Sequence, residues 1–592
     1  MININEQVIK TDVLIIGGGL AGSFAAIKAK EHDPNTDVLV LEQGVAGFHG
    51  RASYGTNIMR CVLPEDDHDY ALWGSVMQTD YMVDQEYAQG CINESYDIIN
   101  EILEVGGNYD RGWDGKIKWM KMVTDVAGFY QRQAIWNPFG SYKHVNKIVG
   151  KAKALGAAYR DRTLITELLT KDGKCVGAVG IDSREGTFLI FKAKAVVLAT
   201  ADYHAAGCNT VSFTGDGMAM ALRAGAELRG MEFGRICFGA IWPSYGEQMV
   251  SANERMARTF RNTEEVKQRI VNALGEEFVE KYEWTRVRPD RMNGGPTWKN
   301  YMPAIFKEMQ EGRGPCFLDM GGAVFEIGFS QRASAQTGGV MIDKDTHTSI
   351  PGLFASGNGS DMCGGMHYSI PYNLLGSSYT GRISGREAAI YAAENELTEP
   401  DSGQIARYKA EAYAPLENEH GMKEADLRCR LIDIWPYLDY RTEETLTTAY
   451  NRFRELEDGA ANMSAFNLKG TSDIHELAKA LKIRNVVALG EAEALAARER
   501  KESRIEHFRA DYPCVDNDNY AKWVIVKGVG DDMRAELMDI PFERFKYKPE
   551  PGKIDRLAPA GSDCLPKYHL PDGSEAPEGY DGFGKPSNAW GK

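Results

Sequence analysis

Residues 11–16 (TDVLII) form an apolar run that stops at Gly17-Gly18-Gly19-Leu20-Ala21-Gly22. A helical stretch follows to about residue 31, then a second apolar run at 38–41 (VLVL), closed by Glu42. Strand, glycine turn, helix and strand make a βαβ opening. Each glycine has a separate physical reason. Gly17 permits the tight strand-to-helix turn, Gly19 lets a pyrophosphate approach the main chain, and Gly22 allows close helix–strand packing. The helix N-terminus adds unpaired N–H groups and a partial positive charge. Glu42 stands 20 residues after Gly22, where a carboxylate can accept from ribose hydroxyls. A lone glycine signature is weak evidence, but all five features in register predict a bound dinucleotide. Leu20, Ala21 and Gln43 border the same site.

The 592 residues amount to about four units at ~150 residues per domain. From 164 to 198 the pattern is ITELLT, an Asp172-Gly173 turn, CVGAVGID, a Glu185-Gly186 turn, FLIF and AVVLAT, which predicts an antiparallel insertion returning to a buried parallel strand. TGDGMAMALRAGAEL at 214–228 opens a helix. Residues 230–330, rich in Trp, Tyr, Arg and Met, look like an inserted lobe, and the strand-like pattern resumes at 338–358 with IPGLFASG at 350–357. Helical patterns cover 376–395 and 402–508. The last 45 residues, from Lys548, hold seven prolines among many glycines and predict no compact domain. The resulting division is 1–229 and 331–398 for a discontinuous dinucleotide-binding domain with its insertion at 164–192, 230–330 for a capping lobe, 399–510 for a helical domain, and 511–592 for an extension or partner-binding arm. The fold class is α/β and Rossmann-like. An extended FAD needs later elements for its ribityl and ring portions, and the TGDG and IPGLFASG segments meet that need, so FAD is preferred over NAD.

Composition removes other classes. Lys and Arg number 68 against 84 Asp and Glu, a net charge of −16, so the electrostatic footprint of a nucleic-acid binder is missing. No apolar run nears the ~18 residues of a membrane helix, and MININEQVIKTDV has neither the basic nor the apolar region of a secretory signal, so a cytoplasmic location is expected. Ten cysteines are spread singly with no C-x2-C pair, which excludes a zinc knuckle or ferredoxin-type cluster built from such pairs, and no metal site is expected.

IIGGGLAG, AVVLAT, TGDGMAMALRAG, QTGGV at 336–340, IPGLFASG, LGSSYTGR at 375–382 and ESRIEHFRADYP at 502–513 together resemble the flavoprotein family of succinate dehydrogenase and fumarate reductase. GSYKHVNKIVGKAKALGA at 140–157, KEMQEGRGPCFLDM at 307–320 and a glycine-flanked His367 are similar to the adenylylsulfate reductase α subunit. The resemblance implies a discontinuous FAD domain, a capping lobe over the flavin, a helical domain and an iron–sulfur partner subunit in a hetero-oligomer. It further implies cofactor contacts at His49, Ser53, Gly55, Thr56, Ala201, Thr214, Asp216, Asn358 and Ser377, with Thr380 beside the last. His49 falls, six residues before Gly55, where quinol-linked fumarate reductases carry the histidine bonded to the flavin. A covalent link through His49 and a loop histidine beside noncovalent FAD both fit.

The chain also departs from the family pattern. Leu374 replaces an arginine that clamps a substrate carboxylate, and Ser334 replaces a histidine donor, so the dicarboxylate site as usually built is gone. Tyr368 replaces a lysine of the adenylylsulfate enzymes. His367, Tyr368 and Tyr372 are the expected catalytic groups near the flavin, as proton donors or as aromatic packing. Arg235 is the lobe's leading substrate contact, among Trp242, Tyr245, Arg255, Arg258, Arg261, Trp298 and Lys299. His204 is expected to be a loop histidine, and Glu502 and Arg504 part of a structural ion-pair network. The implied activity is that of an FAD-dependent reductase, the α subunit of its complex, working on a sulfur substrate in the adenylylsulfate manner or on an enoate other than a dicarboxylate. The alternatives are a flavin monooxygenase or amine oxidase and a non-catalytic electron-relay subunit.

Overall fold

The computed structural model describes residues 4–54, 58–109, 111–123, 130–135, 141–203, 214–233, 237–242, 269–278, 281, 298–319, 324–330, 338–362, 373–466, 474–505 and 507–555. Its centre is a parallel sheet in which strand Glu6–Ile16 lies between Val38–Leu41 and Phe188–Leu198, with Ile16 opposite both Leu41 and Leu198. Ala158–Arg160 extends the sheet beyond Val38–Leu41. The far edge of Phe188–Leu198 is shared. Its first half pairs antiparallel with Lys174–Asp182, and its last residues pair parallel with Leu353–Ala355. The hairpin Thr163–Lys171 and Lys174–Asp182 turns at Asp172-Gly173, as the sequence predicts. All the parallel strands therefore end at one edge, where a ligand of an open α/β sheet binds.

Alternation along the central strand builds two cores. Val13 and Ile15 face helices Leu20–His32 and Asn373–Glu394, whereas Leu14 and Ile16 belong to the core of the opposite face, the one that is continuous with the helical domain. The two helices on the first face meet backbone to backbone. A Cβ on Gly381 would stand 2.3 Å from the Ala21 carbonyl oxygen, and one on Gly385 2.0 Å from that of Ala25. Two glycines four apart thus set the height of both helix starts over the sheet edge.

The chain enters the inserted lobe through strand Leu228–Arg229 and returns through Gly339–Val340. These two strands pair antiparallel with each other, and Leu228–Arg229 also pairs with Lys522–Lys527, which continues to Arg534–Asp539. Residues 514–555, placed by the sequence in an extension, are thus built into the body, with Val524, Ile525 and Val526 fully buried. The reason is local: residues 522–527 (KWVIVK) are a β-branched, aromatic run with an apolar face that has to be covered. The lobe holds a sheet ordered Cys237–Trp242, Val324–Ser330, Cys316–Asp319 and Arg269–Val271, and helix Trp298–Gln310. Phe306 of that helix stacks on Phe508 at 5.8 Å and meets Tyr440 edge-on at 5.2 Å. The lobe therefore rests on the helical domain.

Beneath this contact lies a buried ionic network. Arg500 donates to Glu232 at 2.9 Å and to Glu502 at 2.7 Å, and Arg504 donates to both oxygens of Glu502 at 2.7 and 3.0 Å. Arg441 donates to the Glu232 carbonyl at 2.6 Å and to His507 Nδ1 at 2.7 Å. An arginine has only donors, so His507 carries its proton on Nε2, which donates to the Arg500 carbonyl at 3.0 Å. Burial and three neighbouring arginines hold that imidazole well below its ordinary pKa.

Candidate functional site

The glycine turn is built as the backbone argument requires. Gly17 adopts φ +115°, and a Cβ there would lie 2.3 Å from the Ala199 carbonyl oxygen. At Gly22 a Cβ would sit 1.9 Å from the Gly17 carbonyl oxygen, so helix and turn touch main chain to main chain. Gly19, the N-cap of helix Leu20–His32, is different: nothing lies within 4 Å of its Cβ position, and it has no side chain to cap the helix. The orphan N–H groups of the first turn therefore face an open approach. Leu20 and Ala21 are buried behind it.

Glu42 ends its strand with its carboxylate turned back onto this turn. Oε2 accepts from the Gly18 N–H at 2.9 Å, and Oε1 accepts from the Gly44 N–H at 3.0 Å and faces His49 Nδ1 at 3.0 Å. Three of the roughly four lone-pair positions of a carboxylate are used, and the one left is on Oε2. His49 is closely placed. A Cβ on Gly44 would lie 2.7 Å from its ring. With a carboxylate as its partner, Nδ1 is the donor of that pair. Ser53 is also a brace for this loop, donating to the Gly47 carbonyl at 3.0 Å.

Three further segments close on the same edge. The turn after Phe188–Leu198 brings Thr200 under helix Asp216–Arg223, where a Cβ on Gly217 would meet the Thr200 hydroxyl at 2.1 Å. Thr214 donates to Asp216 at 2.7 Å. After Leu353–Ala355, Gly357 turns with φ +69° beside Ala21, its N–H donates to the Thr380 hydroxyl at 3.0 Å, and Ser377 donates to Asn358 at 3.3 Å. Ala201 lies half-buried between them, its carbonyl 3.4 Å from the Cβ position of Gly359.

The FAD binding domain family matches residues 12–337, and the family described as fumarate reductase flavoprotein C-term matches residues 439–554. The chain is 25% identical over 552 residues to a CoM/CoB fumarate reductase polypeptide of Methanothermobacter marburgensis, covering 86% of this chain and 95% of that one. This chain belongs to the fumarate reductase and succinate dehydrogenase flavoprotein family. It is also 26% identical over 558 residues to the "8-methylmenaquinol:fumarate reductase flavoprotein subunit" of Wolinella succinogenes, covering 87% and 88%. Among solved structures, the FrdA chain of an E. coli quinol fumarate reductase superposes with a TM-score of 0.78 at 20% identity, covering 90% of this chain and 97% of that one. Adenylylsulfate reductase of Archaeoglobus fulgidus superposes at 0.71 with 19% identity, covering 92% and 98%. Both share the fold.

The flavoprotein is an FAD-dependent oxidoreductase, and its sheet edge fits that cofactor on two observations. The Gly19 approach is open where a Cβ would fill it, and the Ser356 hydroxyl, fully buried between Leu353–Ala355 and Gly357, has no hydrogen-bond partner among the described residues. An extended dinucleotide would offer polar groups to both. The structure thus brings together Gly17, Gly19, Gly22, Glu42, His49, Ala201, Asn358 and Ser377, with Gln43, Thr214 and Asp216 alongside. Gly55, Thr56, His204, Arg235, Tyr245, Arg255, Arg258, Arg261, Ser334, His367, Tyr368 and Tyr372 lie outside the described residues. Trp242 ends strand Cys237–Trp242, and Trp298 and Lys299 open helix Trp298–Gln310. Leu374 sits half-buried against the core at the start of Asn373–Glu394. Sequence reasoning missed Ser356, Lys482 and Asn485. The last two come from a helix with no sequence motif to mark them. No helix among the described residues is long and apolar enough to cross a membrane.

Proposed function

We propose that this flavoprotein is the catalytic subunit of a reductase whose electrons come from a separate iron–sulfur polypeptide. The observation that carries the reading is the cysteine distribution: ten single cysteines with no C-x2-C pair, of which Cys61, Cys91, Cys175 and Cys316 are buried. Burial pushes the Cys175 thiol up to about 12 and Cys316 up to about 11, so neither is poised as a thiolate ligand. A cytoplasmic hetero-oligomer goes with this reading.

Bound FAD supplies the two-electron redox chemistry. The chain's own residues bind and orient: the Gly17–Gly22 turn and the helix N-terminus would hold the pyrophosphate, Glu42 a ribose hydroxyl, and Asn358, Ser377 and Thr380 the flavin end. His367, with Tyr368 or Tyr372, would move the proton, and Arg235 would bind the substrate's anionic group. Leu374 offers no fork-shaped cation for a second carboxylate, which favours a sulfur oxyanion of the adenylylsulfate type over fumarate. An enoate with one carboxylate is the second reading, favoured by relatives named fumarate reductases over more than four-fifths of the chain.

Anaerobic reduction followed by stopped-flow mixing with adenylylsulfate, sulfite plus AMP, fumarate and monocarboxylic enoates tests both. Reoxidation by adenylylsulfate but not fumarate is expected. Rapid reoxidation by fumarate overturns the substrate reading, and a cluster-containing chain purified alone overturns the partner. The hydrogen bond to Glu42 keeps His49 at the ribose end of the site, which favours a loop histidine beside noncovalent FAD over a covalent link. Acid-precipitated protein that keeps its yellow colour supports the covalent link, and a colourless pellet rejects it.

A further inference from the structure

We propose that Lys482 and Asn485, on helix His475–Glu499 of the helical domain, are positioning residues for the adenosine half of FAD. This rests on the reading that Gln43 and Asp216 border the cofactor. Lys482 Nζ donates to Gln43 Oε1 at 2.9 Å and lies 4.0 Å from Asp216 Oδ2. Gln43 follows Glu42 at the end of strand Val38–Leu41, and Asp216 opens helix Asp216–Arg223, so one ammonium bridges two walls of the site. Three residues on, and so on the same helix face, Asn485 Nδ2 donates to Asp216 Oδ1 at 2.7 Å.

The orientations are forced. Asn485 Oδ1 accepts from Arg223 Nη1 at 2.9 Å, and since a guanidinium only donates, the amide cannot turn over. Arg223 is held in turn by Glu167 at 2.9 Å, which also takes Arg484 at 3.0 Å. Thr214 and Asn485 both use Asp216 Oδ1, which leaves Oδ2 to face Lys482 and a ligand donor such as an amine or hydroxyl. Neighbours Leu481, Ile483 and Val486 are buried and do the core packing. Asn485 is buried beside them and spends its side chain on hydrogen bonds to Asp216 and Arg223. The helical domain thereby becomes part of the cofactor site, and the Lys482 charge offsets carboxylates beside a ligand that carries its own negative phosphates.

The test titrates the full chain, produced under flavin limitation, with FAD and with ADP as a probe of the adenosine half. A charge-assisted hydrogen bond of this kind predicts about tenfold weaker binding of both by Lys482→Met. Lys482→Arg should restore affinity, which simple loss of packing would not allow. Asn485→Leu should behave like Lys482→Met, and Lys479→Met, one turn away on a half-buried position where the side chain pairs with Glu476, should bind as the unaltered chain does. Unchanged ADP and FAD affinity in Lys482→Met, or a loss that Lys482→Arg does not repair, overturns the proposal. Glu42→Ala separates the two levels: if it leaves ADP binding intact, the adenosine site itself is misplaced, and the proposal falls with it.

Discussion

Replacing Gly19 by alanine separates folding from cofactor binding. The backbone at Gly19 is extended, φ −80° and ψ −160°, so alanine is allowed there, and the new methyl meets nothing within 4 Å. The apo chain should therefore keep its stability within roughly 0.5 kcal/mol, as for a substitution that touches no neighbour. The same methyl occupies the approach to the first-turn N–H groups. Loss of even one charge-assisted hydrogen bond to a phosphate costs about 1.5–3 kcal/mol, or roughly 10- to 100-fold in FAD affinity. Gly22→Ala is the contrast, because its methyl would start 1.9 Å from the Gly17 carbonyl oxygen and so needs about 1.1 Å of extra room to reach 3.0 Å. Overpacking of that kind costs about 1–3 kcal/mol whether or not flavin is present. Urea midpoints of flavin-free protein and FAD titration by fluorescence quenching measure both quantities. An unchanged FAD affinity in Gly19→Ala, or an apo midpoint that falls as far as that of Gly22→Ala, would refute the reasoning.

Arg500→Met leaves Glu232 in the core without its cation, and unpairing a buried charge costs about 3–5 kcal/mol, so the urea midpoint should drop and Glu232→Gln in the same chain should recover part of it. No recovery would mean the loss is one of packing. Burial pushes the Asp361 carboxyl up from 3.8 to about 6 even though Arg229 beside it pulls the other way. The folded chain thus holds this proton more tightly than the unfolded one. That contribution is complete below about pH 3.8 and lost as pH rises through 6. Relative to Asp361→Asn, the chain should lose on the order of 2–3 kcal/mol between pH 4 and 6.5 and none above. Urea midpoints of both proteins across that range would contradict this if they ran parallel.

What could be read ahead of the structure was local. The turn at Gly17, Gly19 and Gly22, Glu42, and the hairpin at Asp172-Gly173 depend on residues close in sequence, where period and turn chemistry decide. Glu502 and Arg504 were expected in a structural ion-pair network, and they lie in one, bonded to each other. The acid that ties this cluster to the rest of the chain was not visible, because Glu232 stands 209 residues before Arg441 and 268 before Arg500. Nor does anything near Lys482 announce Gln43, 439 positions earlier. The strand at 522–527 was hidden for another reason: it lies just before a proline-rich stretch whose composition suggested a loose arm. Ser356 was passed over because an orphan hydroxyl is a property of packing, not of pattern.

The strand pair at the neck of the lobe also sets an order of assembly. Leu228–Arg229 gains one neighbour from Gly339–Val340 but the other only from Lys522–Lys527, roughly 290 residues further on. At ~5–20 residues per second of synthesis, that edge stays open for about 15–60 s on the ribosome, long enough to recruit a stray strand. A nascent chain arrested before residue 522 should therefore be sticky at its neck, and release of the last strand is what seals it.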